Sequence, residues 1–111
     1  KDILDAMRLD ARLRIGELRV DGGAASNGFL CRFLAGLLGI PVVRPRTVET
    51  TALGAAYLAG LGVGLWTGTA AIEKARRGDL VFPPEMTRPQ ARSLYAGWRA
   101  AVARTLALAT A

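Results

Sequence analysis

Between Leu18 and Pro45 the sequence changes structural type repeatedly within about 27 residues, a spacing that points to a fold containing a βαβ unit. Leu18 and Val20 read as a short strand closed by Asp21-Gly22-Gly23. Ser26 or Asn27 supplies the N-cap of the next helix, because a short polar side chain there accepts from unpaired amides of the first turn. Phe29, Leu30, Phe33, Leu34, Leu37 and Leu38 cover about half of that helix's circumference, so it must pack on a sheet or between neighbours. Gly39 stops it, and Pro41-Val42-Val43-Arg44-Pro45 gives an extended run bounded by prolines. Two strands joined in this way pair in parallel through a right-handed crossover.

The flanks read mostly as helix, and the whole as an α/β chain. Ile3, Leu4, Met7 and Leu9 recur at helical spacing over residues 2–13, ahead of a break at Gly16. Glu49-Thr50-Thr51 caps a third helix from Ala52 to about Leu65, whose alanines and glycines suit very close contact with neighbours on all sides. Residues 70–77 add another turn or two, and Gly78 to Pro89 is a loop holding three of the five prolines. The last helix, from about Arg88 to Leu108, carries Ala91, Leu94, Tyr95, Trp98, Ala101 and Val102 on one face. Arg88, Arg92 and Arg99 line the adjacent edge, as in a docking helix with a solvated basic rim.

Composition narrows the function. With 111 residues, 51% of them apolar, the chain can build one core. The net charge of +6 comes from scattered arginines without interleaved aromatics, which argues for solvated surface charge and against nucleic-acid binding. Thr50 to Ile72 is uncharged over 23 residues, but its threonines and glycines dilute it and no basic cluster flanks it, so no membrane span is expected. Lys1 to Arg14 alternates charged and apolar residues, unlike a signal peptide. Cys31 stands alone, so an intrachain disulfide is impossible; a core thiol in a reducing, cytoplasmic setting is expected. The absence of histidine removes Ser-His and Cys-His nucleophile pairs and the usual histidine-containing zinc sites.

The chemistry concentrates at Asp21-Gly22-Gly23. A glycine-paired turn after a strand and before a helix presents backbone N–H groups and a helix N-terminus to one point, as a phosphate requires. Its place at the carboxyl edge of a parallel pair is where ligands bind in open α/β sheets. Asp21 either orients the turn as a structural carboxylate or holds water around a magnesium ion. Neither the Walker A pattern nor the dinucleotide glycine pattern is present. The other carboxylates form no acid/base pair, so neither a catalytic residue nor a metal ligand is assigned within this chain.

The blocks "LRVDGGAASNGFL", "LLGIPVVRP", "ETTALGAAYLAGLGVGLW" and "YAGWRAAV" resemble the C-terminal portion of the FGGY carbohydrate kinases, specifically the glycerol kinases, in order and spacing over residues 2–108. The resemblance implies an actin-like, ribonuclease H-like fold, with residues 1–111 a single incomplete piece of its ATP-binding domain. It implies that Gly23 lies against the nucleotide phosphates, that Gly22 shapes the turn, and that Asn27 contacts the adenine or ribose side. The implied reaction is phosphoryl transfer from ATP to glycerol, giving glycerol 3-phosphate, in a homo-oligomeric full-length protein. The N-terminal half would hold glycerol, the catalytic carboxylate and most of the Mg2+ contacts, so the chain alone is expected to be inactive. A non-catalytic interaction module retaining the fold is the competing reading. Arg32, Gly36 and Gly28 stand where glutamine, aspartate and a second polar residue are common in the family, departures that touch the helix surface and not the turn.

Overall fold

The structure, a computed structural model, describes residues 1–75 and 78–109, with the side chain of residue 109 excepted. Its order is α1 (Asp2–Ala11), β1 (Leu18–Arg19), a 3-10 turn (Gly23–Ser26), α2 (Gly28–Leu38), β2 (Val42–Arg44), α3 (Thr50–Gly62), α4 (Thr69–Ala75), β3 (Leu80–Phe82) and α5 (Arg88–Ala109).

The expected βαβ unit is present. β1 and β2 are parallel, with Leu18 opposite Val42 and Arg19 opposite Val43. The Leu18 N–H donates to the Pro41 carbonyl at 2.9 Å and the Val20 N–H to that of Val43 at 3.0 Å. α2 crosses between them and turns one face to the sheet, where Cys31, Ala35 and Val42 form a core cluster flanked by Leu18, Val20, Leu34 and Phe82. The helix closes at Gly39, whose φ of 69° suits a residue without Cβ and whose N–H donates to the Ala35 carbonyl at 2.9 Å.

Several boundaries differ from the sequence expectation. The loop expected between Gly78 and Pro89 contains β3, antiparallel to β2 with Val43 opposite Val81, so the sheet is mixed with order β1-β2-β3. A three-residue strand carries too few alternations to show a period, and it forms because the β2 edge offers it hydrogen-bond partners. α1 ends at Ala11, two residues early, with Arg12 in the left-handed region at φ 53°. α4 accounts for the helix expected over 70–77, whose last two positions lie outside the described residues.

α3 departs most. Its all-round apolar character predicts burial on every side, yet Gly60 is its only buried residue and Leu58 is 72% exposed. Trp66 folds back so closely that a Cβ on Gly60 would lie 2.1 Å from its ring, while Tyr57 meets the same ring edge-on at 5.4 Å. No other described element wraps the helix. α5 packs on α2, and α1 is tied to α5 through Asp2, which accepts from the Tyr95 hydroxyl and, at 2.9 Å, from the Trp98 indole N–H. The radius of gyration is 18.4 Å, against about 13 Å for a compact domain of this length, so the helices spread from a small central core. No helix among the described residues is long and apolar enough to cross a membrane.

Candidate functional site

The segment from Asp21 to Asn27 joins the carboxyl end of β1 to the start of α2, and hydrogen bonds with Val48, Thr50 and Arg44 tie it to its neighbours. Gly22 has φ 81° and ψ 175°, a region essentially restricted to glycine. That conformation turns the chain sharply and lets the Gly22 N–H donate to the Val48 carbonyl at 3.0 Å. Asp21 accepts from the Thr50 hydroxyl at the start of α3. Its carboxylate therefore braces the turn against α3, which favours the structural role among those open from sequence.

Beyond Gly22 the chain makes a single 3-10 turn. The Ala25 N–H donates to the Gly22 carbonyl at 3.0 Å, the Asn27 N–H to that of Ala24 at 3.2 Å, and the Ser26 hydroxyl to that of Gly23 at 2.6 Å. None of these bonds uses the N–H of Gly23 or Ala24 at the head of the turn. Gly23 has an ordinary φ, and a Cβ built on it would meet nothing within 4 Å. The fold therefore does not require glycine at this position. It leaves open space over an exposed stretch of backbone at the carboxyl edge of the parallel pair.

Asn27, not Ser26, caps α2. Its Oδ1 accepts from the Phe29 N–H at 2.9 Å and the Leu30 N–H at 3.3 Å, filling two of the donors that a helix start leaves unpaired. With the carbonyl oxygen so engaged, the side-chain amide nitrogen is left over on an exposed residue. Gly22, Gly23 and Asn27 are thus brought into one turn.

One contributor, and the link that a second makes to the turn, were not assigned from sequence. Arg44 at the end of β2 reaches back to the 3-10 turn, its Nη1 lying 2.6 Å from the Ala25 carbonyl and 2.8 Å from that of Ser26. A charged residue ending the otherwise apolar run of β2 was the available signal. Cys31 is buried as expected, and its thiol donates to the Ala25 carbonyl at 3.3 Å.

An open cleft of about 450 Å³ lies on the other side of Asp21, lined by Arg19, Val20, Pro45, Thr50, Leu53 and Tyr57 among others. It does not include Gly22, Gly23 or Asn27, and in it the Thr50 hydroxyl is already engaged by Asp21, so the turn is the better candidate site. Among the described residues no three carboxylate, thiol or imidazole groups are placed to hold a metal ion. These residues alone do not fit a magnesium site.

Residues 1–63 match the C-terminal domain of the FGGY family of carbohydrate kinases. The chain is 54% identical over 107 residues to a glycerol kinase of Stenotrophomonas maltophilia strain R551-3, covering 96% of this chain and 21% of that protein. It is 53% identical over 110 residues to the glycerol kinase of Dechloromonas aromatica strain RCB, covering 99% of this chain and 22% of that protein. Its structure is similar to the crystal structure of Plasmodium falciparum glycerol kinase with ADP, with a TM-score of 0.75 and 31% identity over 94% of this chain and 21% of that one. The chain thus spans about a fifth of the length of these relatives.

Proposed function

Since the chain belongs to the FGGY family of carbohydrate kinases, we propose that it forms the C-terminal part of the ATP-binding domain of a glycerol kinase and that its Gly22–Asn27 turn holds the nucleotide. The observation that carries this reading is Gly23, a glycine the fold does not need, beneath open space and beside unengaged backbone N–H groups. A phosphate oxygen accepts from such amides, and a side chain on Gly23 would stand in its way. Gly22 sets the turn. The Asn27 side chain divides its work, its oxygen capping α2 and its amide nitrogen meeting the adenine or ribose side. The ADP named for the Plasmodium relative agrees with this ligand class.

Phosphoryl transfer to glycerol further needs an acceptor site, metal-bound phosphates and a base for the attacking hydroxyl. These residues supply none of them, so in this reading the glycerol site, Mg2+ and the catalytic carboxylate belong to the remainder of the kinase. The test is a chimera in which residues 2–108 replace the matching segment of the Stenotrophomonas kinase. The chimera is expected to form ADP from ATP in a glycerol-dependent way, and the 111-residue chain alone is not. A folded chimera that binds glycerol but not ADP would overturn the assignment.

A further inference from the structure

We propose that Arg44 is a positioning residue for the nucleotide turn, setting the orientation of the Asn27 peptide from the neighbouring strand. The proposal rests on the nucleotide reading above and extends it to a residue that need not touch the ligand.

Arg44 is half-buried at the end of β2, opposite Leu80 of β3. A single nitrogen, Nη1, lies within hydrogen-bond distance of two consecutive carbonyl oxygens, those of Ala25 and Ser26. Each belongs to a rigid peptide plane, and the plane carrying the Ser26 carbonyl also carries the Asn27 N–H. Fixing that carbonyl therefore fixes where Asn27 begins. The two carbonyls lie at the end of the 3-10 turn, where backbone oxygens lack partners within the helix and a positive charge is favoured.

The rest of the side chain is arranged around this contact. The guanidinium carbon sits 5.3 Å from the centre of the Phe82 ring, which supports the cation from β3. The buried Nε has no hydrogen-bond partner, although an unpartnered buried donor is costly. The guanidinium is thus aimed at the turn at the expense of its own third contact. Lysine would keep the charge but not the planar group that rests against Phe82 and fixes the direction of the donor.

Steady-state kinetics of the chimera carrying Arg44→Met, Arg44→Lys or Gly23→Val tests the proposal. Arg44→Met is expected to raise KM for ATP roughly tenfold, the loss of charge-assisted hydrogen bonds, and to leave KM for glycerol unchanged. Arg44→Lys should fall between Arg44→Met and the unaltered protein. A purely structural role would lower the folded, active fraction and leave both KM values within about twofold, which overturns the proposal. If Arg44→Met does not fold, Arg44→Lys decides the matter, with an unchanged KM for ATP counting against it. A Gly23→Val effect on KM for ATP without an Arg44 effect refutes the positioning role alone. No effect from either residue refutes the nucleotide reading beneath it.

Discussion

Asn27 is asked to do two things with one side chain, and substitution can separate them. Its oxygen accepts from two amides at the head of α2, at 2.9 and 3.3 Å. Replacing it with alanine removes the cap, at a cost of about 1 kcal/mol. Unfolding entropy of roughly 2 cal/mol/K per residue over 111 residues converts this to a fall in Tm of about 4 °C. Aspartate keeps an oxygen in the same place and adds a charge favourable to a helix N-terminus, so Asn27→Asp should melt within about 1 °C of the unaltered chain. Aspartate also removes the amide donor and brings a negative charge towards the phosphates. ADP affinity of the chimera should therefore fall roughly tenfold or more for Asn27→Asp, the loss of a hydrogen bond compounded by repulsion. Differential scanning fluorimetry on the chain and titration calorimetry on the chimera read the two effects. Equal destabilisation by Ala and Asp would refute the capping argument. Unchanged ADP affinity in Asn27→Asp would refute the ligand contact.

Two further perturbations examine the frame around the turn. A Cβ on Gly36 would stand 2.5 Å from the Met86 Cβ, so Gly36→Ala should push the segment before α5 off α2 and lower stability by roughly 1–3 kcal/mol, measured by urea unfolding; an unchanged midpoint contradicts this. The Tyr95 hydroxyl, and then the Trp98 N–H, hold the Asp2 carboxyl below the usual carboxylate range, while the bond to Asp2 pushes the Tyr95 phenol up. The folded value for Asp2 is depressed, so its contribution is complete above the ordinary carboxylate range and is lost as pH falls through that depressed value, below about pH 4. The folded value for Tyr95 is raised, so its contribution is present below about pH 10 and is lost as pH rises through the raised value. Trp98 fluorescence in a Trp66→Phe background should report release of α1 at both extremes. In Asp2→Asn the acid step should vanish; its persistence would refute the assignment.

The parts of this structure that could be read from sequence are those set by local rules. Gly39 ends α2 because a left-handed residue is needed there, a short polar side chain at Ser26 or Asn27 caps it, the structure choosing Asn27, and two short strands around the helix must pair in parallel. The parts that could not be read depend on distant partners. β3 exists because β2 presents a free edge, and Arg44 acts on residues 18 and 19 positions earlier in the chain. α3 misled in a more instructive way: an all-round apolar helix signals the need for cover without showing where that cover comes from. In this chain Trp66, packed on Gly60 and Tyr57 of the helix, supplies only part of it. The glycine turn was legible as a place for a phosphate, but the difference between Gly22, whose conformation demands glycine, and Gly23, whose conformation does not, is a property of the folded backbone.

That difference supplies the most direct measurement. Gly23→Val places a branched side chain where the fold leaves space, so the chimera should retain its Tm and its KM for glycerol while ADP affinity, measured by calorimetry, falls by at least roughly tenfold, about 1.4 kcal/mol. An ADP affinity within twofold of the unaltered chimera, in a protein that folds and binds glycerol normally, would contradict the claim that this turn holds the nucleotide.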